Sequence, residues 1–90
     1  MIEQQGDRLV VSGPMTMGEA PRLRQAGLAV LAKGSACIDL SGVEAVDSSA
    51  LAVLLAWQRA GRRLPIEGAP ASLRSLATLY RLDELLDSPA

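Results

Sequence analysis

The sequence predicts an α/β domain, a small mixed β-sheet of about four strands covered by helices. Short apolar and β-branched runs alternate with longer runs whose apolar residues recur at helical spacing, and that alternation implies parallel strands joined by crossover helices. The first two strand-like runs are separated only by Gly6-Asp7, which implies an antiparallel hairpin and makes the sheet mixed. Ninety residues at 49% hydrophobic content suit a single domain, residues 1–90, around one core. With one Trp, one Tyr and no Phe, that core must be assembled from Leu, Val, Ala and Ile.

The elements follow in order. Ile2 to Gln5 and Arg8 to Ser12 form the hairpin, and Gly13-Pro14 is expected to end the second strand. Thr16-Met17-Gly18-Glu19 has the spacing of a capping box, with Pro21 near the first turn of the helix that follows. Leu23, Gly27, Val30 and Leu31 share one face of that helix, and Gly34 suits its end. Ala36 to Leu40, ACIDL, reads as a buried central strand closed by Ser41-Gly42. Ser41 to Asp47 then reads as a loop leading into a helix from Ser48 to about Gly61. Leu64 to Gly68 contains Pro65 and admits only a short or edge strand. Pro70 can open a third helix as its first residue, Leu73, Leu76, Ala77 and Tyr80 line one face of it, and Leu82 to Leu86 adds a last helical turn.

Composition removes several function classes. Nine basic and ten acidic residues leave a formal charge of -1, which provides no field to gather nucleic acid or anionic lipid. The start, MIEQQGDR, lacks the basic and apolar regions of a secretory signal, and no apolar run reaches the ~18 residues that span a bilayer, so a cytoplasmic protein is expected. Cys37 is alone and flanked by Ala36 and Ile38, so it reads as a small buried residue rather than a reactive thiol. The chain has no histidine, so neither Ser48 nor Ser49 has an imidazole to take its proton, and no phosphate loop, dinucleotide fingerprint or metal-ligand cluster is present. No enzyme activity, cofactor or metal is expected.

The stretch with the most to explain is VDSSALAVLLAW, Val46 to Trp57. Asp47 and Ser48 stand where a helix begins, and either would serve as its cap, a role worth roughly 1 kcal/mol over Ala. Beyond them Leu51, Leu54 and Leu55 make one apolar stripe, and Val53, Trp57 and Ala60 make a second. Covering a sheet takes one stripe. Either other parts of the domain enclose this helix, or its first turns are an interaction surface, and the shortness of the chain favours the surface. That reading assigns partner binding to Asp47, Ser48, Ser49, Ala50, Val53, Leu54 and Trp57. It also implies that the isolated domain can self-associate.

The segment IDLSGVEAVDSSALAVLL, Ile38 to Leu55, resembles the STAS domain, a fold shared by anti-sigma-factor antagonists, the tails of sulfate transporters and the MlaB subunit of a phospholipid transport system. The closing LRSLATLYRLDELL, Leu73 to Leu86, is similar to the end of the MlaB branch, and the likeness covers nearly the entire chain. It implies a non-enzymatic accessory subunit that binds the ATPase of an ABC-type phospholipid transporter through Ser48 and its neighbours. Such a subunit would reach the inner membrane only through that complex. The alternative it implies is an anti-sigma-factor antagonist, a partner switch in which the second hydroxyl of D-S-[ST]-G, here Ser49, is phosphorylated. Ala50 departs from the Gly that many relatives have at that position.

Overall fold

The computed structural model describes residues 1–60 and 64–86. The expected helix end at Gly61 lies outside the described residues. Eight elements run in the order anticipated: β1 (Ile2–Gln5), β2 (Arg8–Met15), α1 (Ala20–Leu31), β3 (Cys37–Val46), α2 (Ser48–Arg59), β4 (Ile66–Glu67), α3 (Ala71–Leu79) and α4 (Asp83–Leu86). They form a four-stranded sheet in the order β1-β2-β3-β4, antiparallel between β1 and β2 and parallel thereafter.

That order decides where the helices go. From β2 through β3 to β4 each strand is added on the same side of the last, so right-handed crossovers place α1 and α2 on one face of the sheet. Leu9, Val11, Ile38, Leu40 and Ile66 point into that face and are buried there. Alternation sends Arg8, Asp39 and Glu67 to the opposite face, where Arg8 pairs with both acids across three strands. Among the described residues the strand order never reverses, so they form no switch point of the kind at which α/β sheets open a ligand crevice.

The hairpin forms as expected, with Gly6 at φ 61° and Gln5 opposite Arg8. Both longer strands run past their expected ends. β2 continues through Gly13-Pro14 because its register against β3 shifts between Val10 and Ser12 and again between Gly13 and Pro14. Such bulges leave a residue out of the ladder, and the β1 side is open beyond Ser12, so the missing proline N–H costs little. β3 likewise passes through Ser41-Gly42. A Cβ on Gly42 would lie 3.1 Å from Ser12 Cβ, so this glycine serves close approach of two strands rather than a turn.

Two helix starts also differ from expectation. The Thr16/Glu19 capping box does not form: the Thr16 carbonyl accepts the N–H groups of Glu19 and Ala20, and the Glu19 carboxylate pairs with Arg22 at 2.9 Å. Pro70 is the cap of α3 rather than its first residue, and Tyr80, expected on the buried face, caps the far end and is 54% exposed. Cys37 is buried, as its neighbours implied, and burial pushes its thiol pKa up.

Candidate functional site

The site is built at the junction of β3 and α2, where Asp47 alone separates Val46 from Ser48. Asp47 is extended, at φ -138° and ψ -171°, so the chain turns from strand to helix within one residue. Its Oδ1 accepts the Ser49 N–H at 2.8 Å, which makes it the cap of α2. Its Oδ2 accepts the Met17 N–H at 2.9 Å, from the loop between β2 and α1. One carboxylate therefore holds two loops together. These bonds favour the charged form and hold the Asp47 pKa below the usual carboxylate value, the Met17 N–H contributing most.

With Asp47 as cap, Ser48 and Ser49 are the first two residues of the helix. Ser48 is exposed and Ser49 half-buried, in a first turn that carries no acidic residue. They stand at the positive end of the helix, where an anion is favoured. Asp47 is a poor base for either hydroxyl, since the main-chain N–H groups of Met17 and Ser49 hold its carboxylate in the charged form and lower its pKa.

The apolar half of the expected surface is not at the surface. Ala50, Val53, Leu54 and Trp57 are all buried, Trp57 to 1% exposure. The reason is the place of α2 in the helix layer: α1 packs on one side of it, α3 on the other, and the sheet lies beneath. A helix in that position is covered over most of its circumference, and this accounts for its two apolar stripes. Trp57 is an internal fixture, lying flat on Gly27 of α1 with its Nε1–H donated to the Arg24 carbonyl at 3.1 Å.

The face that α2 does present is Ser48, Ala52, Leu55, Ala56 and Arg59, at spacings of i, i+4, i+7, i+8 and i+11. Leu55 and Ala56 are half-buried and the others exposed. That stripe was readable in the sequence as the one that begins in a hydroxyl and ends in an arginine. Met17 was missed for want of any periodic signal. It belongs to a non-helical loop, is 73% exposed, and is tied to the site only through its backbone.

The sheet thus carries α1 and α2 on one face, with two hydroxyls beside a capping carboxylate at the entry to α2. The family described as "Mlab, STAS domain" matches residues 1–87, and the chain belongs to the STAS-domain family. It is a regulatory, protein-interaction module of that family. Among solved structures it is similar to an anti-sigma factor antagonist from Mycobacterium paratuberculosis, at 30% identity and a TM-score of 0.72, over 100% of this chain and 84% of that one. A sulfate transporter family protein from Wolinella succinogenes shares the fold at 21% identity and a TM-score of 0.66, over 89% of this chain and 70% of that one. The anti-sigma factor antagonist SpoIIAA in its unphosphorylated form shares it at 12% identity and a TM-score of 0.58, over 88% and 81%. No curated protein matches the chain closely enough to add to these.

These relationships overturn the expected ABC transporter ATPase partner. The likeness that extends over the full chain at 30% identity is to an anti-sigma factor antagonist, and it points to partner-switching regulators instead. The assignments to lipid transport and to the periphery of the inner membrane rested on that partner and have no other support in these relationships. Among the described residues no helix is long and apolar enough to cross a membrane.

Proposed function

We propose that this chain is a partner switch of the anti-sigma-factor-antagonist kind, in which charge on Ser49 sets the affinity of the α2 entry for its partner. The observation that carries the reading is the 30% identity over the full chain with an anti-sigma factor antagonist. The geometry supports it. A phosphate on Ser49 adds roughly -1.5 to -2 charges beside the exposed Ser48, in a first helical turn that is otherwise free of acids. The helix N-terminus tolerates that charge, so the fold persists while the docking surface changes sign. Ala50 in place of glycine does not disturb the surface, because it is fully buried and its methyl is turned into the core.

The test is affinity capture from the source cells with the wild-type chain, Ser49→Ala and Ser49→Glu, followed by mass spectrometry of the bound proteins and of Ser49. We expect the first two to retain an anti-sigma factor, Ser49→Glu to lose it with an unchanged melting temperature, and phosphate to map to Ser49. If Ser49→Glu melts normally and keeps the same partner undiminished, the reading fails.

A further inference from the structure

Beside the exposed stripe of α2 runs a groove between α1 and α2. Its floor is Leu28, Val53, Leu55 and Ala56, and small residues at Ala20, Ala52 and Ala60 keep its rim low. Arg24 of α1 and Arg59 of α2 also line it, one from each helix, and among the described residues no acidic one does. Both arginines are exposed, and neither has an ion-pair partner among the described residues. From Ala52 to Ala60 the groove follows α2 for about 12 Å, at 1.5 Å per residue, or about two helical turns.

We propose that this groove is the seat of an amphipathic helix from the partner protein, a helix with an apolar face of Leu and Ala and acidic residues along its edges. The apolar floor supplies burial and the low alanine rim permits close approach of a second helix. The two arginines select the sign of its edges. The inference rests on the partner-switch reading and gives it a mechanism. Ser48 lies one turn before Ala52 on the same stripe, so the groove opens directly onto the switch. A phosphate on Ser49 then faces the acidic edge of the docked helix within about a Debye length and repels it, whereas Arg24 and Arg59 attract it.

The experiment uses the isotope-labelled chain and two synthetic peptides of about four helical turns, identical in their Leu/Ala face, one with Glu and one with Lys along its edges. Amide shifts are followed by NMR. We expect the Glu-edged peptide to perturb Ala52, Leu55, Ala56 and Arg24, and to bind about tenfold more tightly than the Lys-edged peptide. Arg24→Glu with Arg59→Glu should reverse that preference at an unchanged melting temperature. Arg24→Gln with Arg59→Gln should reduce it without reversing it. Equal binding of both peptides, no binding of either, or shifts confined to another surface would each overturn the proposal. So would the same shifts appearing on concentration of the chain alone, which would make a second copy the occupant. Because no cellular partner enters the measurement, its outcome is separate from whether that partner is an anti-sigma factor.

Discussion

Gly27→Ala is the substitution through which the packing of this domain is most directly tested. Gly27 is buried in α1, and a methyl placed there would come closer than 3.0 Å to the Cε2, Cζ2 and Nε1 atoms of Trp57. An indole is rigid and this one is 1% exposed, so it cannot swing aside without moving α1 from α2. Overpacking of that kind costs about 1–3 kcal/mol. Displacing the ring also strains the Nε1–H bond to the Arg24 carbonyl, worth about 1 kcal/mol. Against these stands the helix propensity of Ala over Gly, again about 1 kcal/mol, so the last two cancel and the clash remains. For a domain of this size a loss of about 1–3 kcal/mol lowers the melting temperature by roughly 5–20 °C. Circular dichroism measures the melt, and fluorescence of the single tryptophan should shift to the red as the ring is lifted toward water. Gly18→Ala is the control, since a Cβ there meets nothing within 4 Å. If Gly27→Ala melts at or above the wild-type temperature with unchanged fluorescence, Trp57 does not seat on Gly27 and the account of α2 as an enclosed helix is wrong.

Further expectations concern the site itself. Ser48→Ala should change stability by less than about 0.5 kcal/mol, because Asp47 and not Ser48 caps α2, whereas Asp47→Ala should lower the melting temperature measurably. Asp47 and Asp39 both have depressed carboxyl pKa values, Asp47 chiefly through the Met17 N–H and Asp39 chiefly through the Ser41 hydroxyl. Their contributions are therefore complete above the unfolded value of about 3.9 and are lost as pH falls through the folded values. Denaturant melts of Asp47→Asn below about pH 4 should show a shallower loss of stability than wild type, and a parallel slope would remove Asp47 from the linkage. Ser48→Arg should melt like wild type yet fail to retain the partner, and full retention would place the interface elsewhere. Met17→Lys should weaken the same capture without altering the melt, since its side chain is exposed and only its backbone is engaged.

The order of elements was legible in the sequence because each strand and helix carries its own period, from the hairpin at Gly6 to the short β4 that Pro65 confines. What escaped was how the pieces share edges. Gly13-Pro14 and Ser41-Gly42 look like strand ends in isolation, but they lie side by side in neighbouring strands, where the bulges of one match the glycine of the other. Local turn chemistry cannot report that, since the partner strand is thirty residues away. Asp47 was read correctly as a cap candidate. Its second bond, to Met17, was invisible for the same reason of distance along the chain.

The misreading of α2 has a different cause and is instructive about its function. Periodicity counts apolar residues around a helix but does not say how many neighbours the helix has, and the assumption that a short chain could not enclose one was mistaken. With α1 and α3 on either side, Ala50, Val53, Leu54 and Trp57 are consumed by the core. The surface left over is narrow and mixed, hydroxyls at one end, alanine and leucine along it, and arginine at the other. A surface of that kind holds a partner less by area than by charge and fit. The charge that most changes it is the one placed at its single hydroxyl-bearing end. A broad apolar face would bind regardless of a phosphate at its margin, whereas on a narrow stripe one added charge lies within about a Debye length of much of the contact. On the proposed reading, burying the apolar residues of α2 is therefore what would make a serine at its entry effective as a switch.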